Sequence, residues 1–469
     1  MDLHADGSVL LISCYELGHQ PLGVAWPLGF LTRAGYSAVS MDIAVEPFDA
    51  AMAARARFVG ISVPMHTAMR LGVRVIARIR ELNPECHICC FGLYAALNAE
   101  YLLDHGADSC VGGECETPLV ELVESLDRGS NADSHREPGS GVAGVITRTQ
   151  SARPNLARLP FVIPERGRLP SLEKYARLEH DGHTRTAGHV EASRGCLHLC
   201  THCPIPPVYG GRFFIVPPEI VLEDIRQQVA AGATHITFGD PDFLNGPKHS
   251  LRVVRAMHDE FPSLTFDFTA KVEHLLQRGE DLPEFTESGC LFIISAVESL
   301  SDRVLRILDK NHTRDDVVAA LGLVRDAGIA LRPTWVVFTP WTTLDDYCEV
   351  LDFIEANCLI DHVDPIQYAI RLLIPPGSWL AEHAETLPHR GPLDEAAFTF
   401  RWTHPDPRMD QLQKDVSRLV EMDLKAGEDS AATFYRVTEL AHGRQPAAAV
   451  CPLDPDRWRA PRLTESWFC

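Results

Sequence analysis

Three cysteines close together are the first feature of the sequence that could do chemistry. Cys196, Cys200 and Cys203 lie in the stretch EASRGCLHLCTHC, where three and then two residues separate them. Thiolates at such spacing can hold an iron–sulfur cluster, and three of them bind three irons of a four-iron cluster and leave the fourth iron open to a substrate. The alternative is a zinc site, which needs a fourth ligand from His198 or His202.

The composition is that of an acidic globular protein. The 469-residue chain carries 43 Lys and Arg against 64 Asp and Glu, a formal net charge of −21. Such a surface repels phosphate backbones, so we expect no nucleic acid as partner. We expect no membrane partner either, because no apolar run approaches the roughly 20 residues needed to span a bilayer. The acidic start MDLHADGSVLLISC is the reverse of a secretory signal, and the 14 cysteines are therefore expected to be reduced in a cytoplasmic protein.

The elements before the cysteines follow an alternation of strands and helices. Residues 1–128 predict a Rossmann-like, doubly wound parallel sheet with a ligand crevice at the carboxyl ends of its strands. Its predicted strands are SVLLIS, YSAVSMDI, RFVGISVP, CHICCFG and ADSCVGG, and its predicted helices include LGVAWPLGFLTRAGY and AMRLGVRVIARIREL. Residues 129–187 begin rich in Gly, Ser and Asp and predict a linker.

A second alternation over residues 188–380 predicts a partial (βα)6 barrel, with its chemistry at the C-terminal ends of the strands. The cysteines follow its first strand directly. The six predicted strands are HVEAS, HITFGDP, TFDFTAKV, CLFIISAVES, LRPTWVVF and DPIQYAIRLLI. Residues 381–469 predict a mostly helical region, and the fold class as a whole is α/β.

The cysteine segment resembles the radical S-adenosylmethionine (SAM) superfamily. SRGCLHLCTHC is similar to the signature that follows the first strand of the superfamily's barrel. The resemblance implies a [4Fe–4S] cluster on the three cysteines, whose open iron binds the amino and carboxylate groups of SAM. One electron from the cluster would cleave SAM to a deoxyadenosyl radical, which abstracts hydrogen from the substrate. A low-potential electron donor such as flavodoxin or ferredoxin is the partner that this chemistry implies.

Segments after the cysteines resemble the superfamily's SAM-binding positions. TFGDPDFL is similar to the stretch that holds the SAM amino group, SAVESLSDRVLRILDK to the stretch around the fifth strand, and RLLIPPGSWL to the final strand and its turn. A histidine replaces the usual aromatic residue before the third cysteine, and FTPWTT replaces the usual glycine–proline loop. The residues that the resemblance assigns to SAM are His202, Gly239, Asp240, Asp242, Glu298 and Ser299.

Three further charged residues lie at strand positions that face the mouth of the predicted barrel. Lys271 and Glu273 are in TAKVEHL, and Arg332 is in LRPTW. We expect Lys271 and Glu273 to be catalytic. Arg332 suits the SAM carboxylate, with a salt bridge inside the barrel wall as the alternative.

The first region resembles the cobalamin-binding domain of cobalamin-dependent radical SAM enzymes. QPLGVAWPLGFLTRAGYSAVSMDI is similar to the family's first βα unit, FGLYA to its fourth-strand glycine turn, and VGGECETPLVELVESL to its closing strand and helix. No GxGxxG follows the first strand, which argues against a dinucleotide. No Asp-x-His-x-x-Gly follows it either, so we expect no cobalt-ligating histidine from this loop, where His19 has the wrong spacing. The residues assigned to cobalamin are His66, Gly92, Gly113 and Glu114, with Glu116 nearby. A Rossmann-like domain that has lost its cofactor is the alternative.

The end of the sequence, PRLTESWFC, resembles the tail of a radical SAM group named for a Cys-Cys-Ala-Glu-Pro or Cys-selenocysteine-Ala-Glu-Pro ending. The resemblance raises the hypothesis that a selenocysteine codon after Cys469 was taken as a stop, which the downstream gene sequence would test. A low-pKa thiol at Cys469 could bind a metal, quench a radical or donate hydrogen, so it is a candidate catalytic residue.

Together these features predict a radical SAM enzyme that carries out cobalamin-dependent methyl transfer to a small molecule or a peptide. The first alternative is a radical SAM cyclase, oxidase or SAM-fragment transferase without functional cobalamin. The second is a zinc-containing binding module, which iron and sulfide analysis would distinguish.

Overall fold

The computed structural model of the protein describes residues 2–129, 139, 141–444, 454 and 457–465. Cys469, predicted as a catalytic residue, lies outside the described residues. The twelve described cysteines are free thiols. Among the described residues, no helix is both long enough and apolar enough to cross a bilayer.

The first sheet has six strands in the order β2-β1-β3-β4-β5-β6. Five are parallel, and β6 pairs antiparallel with β5, in a segment that the sequence predicted as linker. β1, β3, β4 and β5 are buried along their whole length, as expected for a parallel sheet that is covered on both faces. The strands are β1 Val9–Ser13, β2 Val39–Asp42, β3 Phe58–Ser62, β4 His87–Phe91, β5 Ser109–Val111 and β6 Val145–Ile146.

Six helices cover this sheet. The apolar positions of the third recur three to four residues apart, and Met69, Val75, Ile76 and Ile79 are buried on that face. The second begins at Asp49, whose carboxylate accepts hydrogen bonds from the N–H groups of two residues in the first turn. The helices are α1 Leu22–Arg33, α2 Ala50–Arg55, α3 His66–Leu82, α4 Leu93–Leu97, α5 Ala99–Asp104 and α6 Glu116–Gly129.

The second sheet is a half-barrel of seven strands, in the order β14-β13-β12-β11-β8-β7-β17. β8, β11, β12, β13 and β14 are parallel, β7 pairs antiparallel with β8, and β17 pairs antiparallel with β7. A separate antiparallel pair, β9 and β10, stands at the cysteine segment. The strands are β7 Arg177–His180, β8 His183–Val190, β9 Ser193–Gly195, β10 Phe213–Ile215, β11 His235–Phe238, β12 Thr265–Thr269, β13 Cys290–Glu298 and β14 Ala330–Trp335.

Helices between these strands complete the βα units. Two of them begin with reciprocal capping boxes, in which Thr313 pairs with Asp316 and Thr343 pairs with Asp346. The helices are α7 Ile205–Tyr209, α8 Pro218–Ala230, α9 Pro247–Glu260, α10 Val272–Gln277, α11 Leu282–Glu287, α12 Asp302–Ile307, α13 Arg314–Asp326 and α14 Leu344–Ala356.

The sixth barrel strand predicted from DPIQYAIRLLI is wrong. The segment Pro365–Ala369 is a 3-10 helix, and an isolated bridge between Phe338 and Arg371 is the pairing that follows it. Proline cannot donate to a strand ladder, and the Gln367 side chain accepts the hydrogen bond of the Trp335 N–H at 2.7 Å. A side chain therefore satisfies the edge of β14 where a sixth strand would have paired.

The C-terminal region contains two long helices, as predicted, but also strands that the sequence did not indicate. A hairpin of β15 and β16 packs Phe398 into the core of the first domain. Far along the chain, β17 returns to the edge of the half-barrel and pairs with β7. The elements are β15 Arg390–Asp394, β16 Thr399–Trp402, α15 Pro407–Ala426, α16 Ser430–Ala441 and β17 Arg462–Leu463.

Candidate active site

A cavity of about 420 Å³ lies at the C-terminal ends of the barrel strands, with the three cysteines in its wall. Part of the wall comes from the first domain, through Pro64, Met65, His66, Leu93 and Tyr94. Among the barrel residues in its lining are His198, His202, Lys271, Ile294, Ala296, Glu298, Lys310 and Val336. The cavity is therefore shared between both domains.

The cysteine loop is closed at its base by the β9–β10 pair. Gly195 pairs with Phe213, and the Cys196 N–H donates to the Arg212 carbonyl at 3.1 Å. Within the loop, the Cys203 N–H donates to the Cys200 carbonyl at 3.2 Å. These backbone bonds hold the three thiols on one side of the cavity.

The three thiols lie farther apart than the ligands of a single zinc ion. Sulfurs bound to one Zn²⁺ at about 2.3 Å lie roughly 3.8 Å apart. Within the described part of the chain, the three thiols do not form a group whose ligand atoms all lie within 4.8 Å of one another. The ring nitrogens of the histidines that the zinc alternative needs face carboxylates instead of the thiols: His198 Nε2 lies 3.4 Å from Asp242, and His202 Nε2 lies 3.4 Å from Glu298.

The thiols need a positive partner to ionise. Burial raises the pKa of Cys196 to about 11 and that of Cys203 to about 12. A coordinating metal deprotonates a thiol outright, so bound iron would supply the charge that this buried loop lacks.

Glu298, which the sequence assigned to SAM, forms an ion pair in the cavity wall. Its carboxylate lies 3.3 Å from Lys310 Nζ, and its backbone has a φ of 70°, in the left-handed region. Burial alone would raise the pKa of Glu298, but the Lys310 ammonium and the His202 ring lower it to about 2. Against burial, Glu298 and the thiols of Cys200 and Cys203 raise the pKa of Lys310. Sequence reasoning did not single out Lys310, although it is the last residue of the stretch SAVESLSDRVLRILDK.

Lys271 and Glu273 lie close to each other beside the cavity. Lys271 Nζ is buried in the lining and has no hydrogen-bond partner among the described residues; its nearest carboxylate oxygen is Glu273 Oε2, at 3.8 Å. Glu273 is not itself among the lining residues. Because the Lys271 ammonium makes no hydrogen bond among the described residues, it suits an anionic group of a bound ligand.

Four other residues assigned to SAM lie behind the cavity wall rather than in it. Asp240 accepts hydrogen bonds from the Ala192 N–H and the Ser193 hydroxyl, and burial raises its pKa to about 7. Ser299 accepts from the Ser301 N–H. The other two are Asp242, which is fully buried against His274, and Gly239. Each supports the strand ends that carry the cavity.

Arg332 follows the alternative that the sequence left open. Its guanidinium lies 3.0 Å from Asp364 and donates to the Pro461 carbonyl at 3.5 Å, among residues that precede β17. It is outside the described lining of the cavity. The salt bridge in the barrel wall is thus present, and the pairing with the SAM carboxylate stays a prediction.

A second cleft, of about 290 Å³, lies at the carboxyl ends of the strands of the first sheet and faces the barrel. Gly92, Gly113 and Gly239 line it, and Glu114 lies just behind it. Gly113 has a φ of 75°, and a Cβ there would lie 2.2 Å from the Asn155 carbonyl oxygen. Further lining residues are Glu16, Leu22, Gly23, Trp26, Ser62, Phe91, Cys115, Glu116, Glu191, Arg194 and Tyr209.

One guanidinium ties the two domains together at this cleft. Arg194 lies 3.3 Å from Glu114, 2.6 Å from Glu116 and 3.1 Å from Glu191. Burial raises the pKa of Glu114 to about 7 and that of Glu16 to about 8. Glu116 Oε2 is buried and has no hydrogen-bond partner among the described residues. This buried acceptor would suit a ligand with amide N–H groups, such as cobalamin, part of which would have to extend beyond a cleft of about 290 Å³.

The two histidines considered for cobalamin lie elsewhere. His66 lines the larger cavity, and its Nε2 is 3.1 Å from the Phe398 carbonyl of the β15–β16 hairpin. His19 stacks on His189 with 4.3 Å between ring centroids. Neither is among the described residues that line the second cleft.

The two cavities adjoin. Pro64, Leu93, Ile205 and Pro241 line both of them. A ligand in the second cleft would therefore face the space in front of the three cysteines.

Family descriptions match both halves of this architecture. The radical SAM superfamily matches residues 190–354, and the B12 binding domain matches residues 8–123. The chain therefore contains a B12-binding domain followed by a radical SAM domain. The fold class expected from the sequence is confirmed.

Relatives and solved structures of similar sequence or fold include methyl-transferring enzymes. Hopanoid C-3 methylase of Methylococcus capsulatus is 24% identical over 343 residues, which cover 71% of this radical SAM chain and 64% of the relative. A tRNA-2-methylthio-N(6)-dimethylallyladenosine synthase of Desulfosudis oleivorans is 28% identical over 241 residues, 47% of this chain and 51% of that one. The chain thus spans between half and two thirds of the length of these two relatives.

The structural neighbours show the same fold over almost the whole chain. The cobalamin-dependent SAM radical enzyme OxsB, with aqua-cobalamin bound, has a TM-score of 0.70 at 15% identity over 94% of this chain and 73% of that one. The radical SAM methyltransferase TsrM of Kitasatospora setae, with tryptophan and a SAM analogue bound, has a TM-score of 0.63 at 15% identity over 94% and 96%.

Proposed function

We propose that this radical SAM protein is a cobalamin-dependent methyltransferase that acts on a small molecule or a peptide. The observation that carries the proposal is the junction of the two cavities at Pro64, Leu93, Ile205 and Pro241. Methyl transfer through cobalamin requires the corrin, SAM and the substrate to meet in one space, and this junction provides it.

Different side chains would bind the two cofactors. Cys196, Cys200 and Cys203 would hold a [4Fe–4S] cluster, and the cleft at Glu116 would hold cobalamin. When bound, the cluster supplies the electron that cleaves SAM to a deoxyadenosyl radical, and cobalamin supplies a methyl carrier. Lys271, whose ammonium lacks a hydrogen-bond partner among the described residues, would bind the SAM carboxylate.

Glu298 and its partners would bind the polar part of SAM. Because Lys310 holds the carboxylate in its ionised form at neutral pH, Glu298 remains an acceptor for ammonium or hydroxyl groups. His202, next to Cys203, has its Nε2 3.4 Å from the same carboxylate. The pair therefore orients SAM without exchanging a proton in the neutral pH range.

The far wall of the larger cavity favours a substrate with an apolar face. Its side chains are Ile294, Ala296, Val336, Ile370, Leu372 and Leu373. The excess of acidic groups over basic ones argues against nucleic acid as substrate.

The outer face of the cysteine loop suits the docking of an electron donor. Leu197 and Leu199 alternate with the ligand positions and are 44% and 41% exposed. Apolar side chains at such a place favour a protein partner, and we propose flavodoxin or ferredoxin. An oxygen-sensitive cluster and free thiols also fit the cytoplasm.

Metal analysis of protein expressed without oxygen in cobalamin-fed cells tests the cofactors. We expect about four irons and one cobalt per chain, with the iron lost in a Cys196→Ala/Cys200→Ala/Cys203→Ala variant. Iron without cobalt would leave the radical chemistry and remove the methyl carrier. Zinc in place of iron would overturn the proposal.

Product analysis tests the reaction. Methyl transfer consumes a second SAM and yields S-adenosylhomocysteine together with deoxyadenosine. A cyclase, an oxidase or a SAM-fragment transferase would give no S-adenosylhomocysteine. A substrate panel that produces deoxyadenosine alone would therefore favour that alternative.

A further inference from the structure

A buried group of potential metal ligands lies beside the three cysteines. His198, Asp242 and His274 present ligand atoms that all lie within 4.8 Å of one another. Asp242 Oδ2 is at the centre, 2.8 Å from His274 Nδ1 and 3.4 Å from His198 Nε2. Donor atoms bound to one transition-metal ion at about 2.1 Å lie roughly 3.0–3.5 Å apart, so the group is nearly of that size.

His198 is oriented as a metal-binding histidine is. Its Nδ1 lies 3.5 Å from Glu273 Oε2, and its Nε2 is turned toward Asp242. Histidines that bind a metal through one ring nitrogen usually have a carboxylate or carbonyl at the other, which fixes the ring and raises its basicity. Glu273 supplies that carboxylate.

A purely structural hydrogen-bond network does not account for the whole group. Such a network would explain the hydrogen bond that His274 donates to Asp242. His198 Nε2, however, is buried and makes no hydrogen bond within the described part of the chain, although a carboxylate oxygen is 3.4 Å away. His198 itself is about nine-tenths buried and lines the larger cavity. The His198 nitrogen points to a carboxylate and a second imidazole. A cation bound between these three groups would give that nitrogen a partner.

We propose that His198, Asp242 and His274 bind a divalent first-row transition-metal ion, separate from the cluster. Two imidazoles and one carboxylate are a ligand set for Fe²⁺, Zn²⁺ or Mn²⁺, with coordination positions left open. The elements converge because His198 lies in the cysteine loop, Asp242 follows β11 and His274 is in α10. Of the three ligands His198 lines the larger cavity, so a donor atom of a ligand in that cavity would reach the open positions past this ring.

The site does not depend on the proposed methyl transfer. Its ligands are distinct from the three cysteines, and the second cleft contributes none of them. A bound ion would also offset the buried charge of Asp242 and Glu273.

Manganese binding to the full chain tests the site. The cluster is first reconstituted so that the cysteines are occupied, adventitious metal is removed with a chelator, and Mn²⁺ is titrated while the signal of the free ion is followed by electron paramagnetic resonance. Zn²⁺ is then added as a competitor that reveals sites with a preference for zinc, because affinity follows the Irving–Williams order. We expect one ion per chain.

Matched variants assign the ion to this site. We expect His274→Gln and His198→Gln to weaken binding at least 10-fold, and Glu273→Gln to weaken it by about 10- to 100-fold through His198 alone. His249→Gln is the control, because His249 is equally buried and bonds only the Ala192 carbonyl. Iron content measured on each variant reports whether the cluster loop is intact. If His198→Gln loses iron, the test of the metal site rests on His274→Gln, because His274 is on a different element. Binding of neither ion, or binding that His274→Gln leaves unchanged, would overturn the proposal.

Discussion

Removal of the Lys310 ammonium should strongly destabilise the barrel at neutral pH. Lys310 and Glu298 are 3.3 Å apart, and their side chains are 3% and 9% exposed. The pKa of Glu298 falls from 4.5 to about 2, which corresponds to about 3 kcal/mol in favour of the ionised form. Because the folded-state pKa is lowered, this contribution is fully present above about pH 4.5 and is lost as the pH falls toward 2. In Lys310→Met the carboxylate would be buried without its main counter-ion, at a cost of about 3 kcal/mol.

Urea unfolding of anaerobically prepared protein at pH 7 measures this effect. We expect Lys310→Met to lower the free energy of unfolding by about 3 kcal/mol and the double variant Lys310→Met/Glu298→Gln to recover much of the loss, since no buried charge is then left unpaired. Lys174→Met is the control, because Lys174 pairs with Glu46 at a half-exposed site and such pairs contribute about 0–1 kcal/mol. If Lys310→Met is no worse than Lys174→Met, or the double variant is no better than the single, the reasoning about this ion pair is refuted.

Three other positions give separate predictions. Arg166 lies 2.8 Å from Asp224, and Arg166→Leu would leave that carboxylate buried without a counter-ion. We therefore expect the free energy of unfolding, measured in urea, to fall by about 3–5 kcal/mol. Glu16 has its folded pKa raised to about 8, so the folded state holds a proton that the unfolded state releases above about pH 4.5. Stability should fall between pH 5 and 8 by up to about 1.4 kcal/mol per pH unit from this group, and Glu16→Gln should flatten that slope in unfolding measured across pH. Gly113→Ala brings a Cβ to 2.2 Å from the Asn155 oxygen in a left-handed conformation, and a loss of more than about 1 kcal/mol, with weaker cobalamin uptake, is expected.

The order of the βα units could be predicted from the sequence because it depends on local pattern. The buried strands of the first sheet and four of the five parallel barrel strands occur where apolar runs and turn residues indicated them, whereas β8 overlaps the predicted HVEAS only at His189 and Val190. The predicted strand at DPIQYAIRLLI failed because the Gln367 side chain, 32 residues away along the chain, accepts the hydrogen bond of the Trp335 N–H at the edge of β14. β17 was not predictable for a different reason. Two residues pair with a strand more than 280 positions earlier, and no local pattern indicates such a pairing.

The part of the site that a single loop builds could be predicted from the sequence. The part to which distant loops contribute could not. The spacing of Cys196, Cys200 and Cys203 was enough to predict that they lie together, and the β9–β10 pair closes the one loop that they share. Lys310 reaches the same cavity from a loop more than 100 residues later. Its chemistry depends on a buried carboxylate nearby, which is a property of packing. Asp242 illustrates the converse, since its place in a motif suggested a ligand contact, whereas its contacts are with two histidines.

The net charge opposes nucleic-acid binding somewhat less than its formal value suggests. The formal value of −21 counts every carboxyl as ionised. Burial raises the pKa of Glu16, Glu114 and Asp240 to about 7 or 8, so these groups hold protons for part or most of the time at neutral pH. They also face the interior, where they cannot repel a polyanion at the surface. The charge remains strongly negative without them, so the expectation that nucleic acid is not the substrate rests on the surface carboxylates alone.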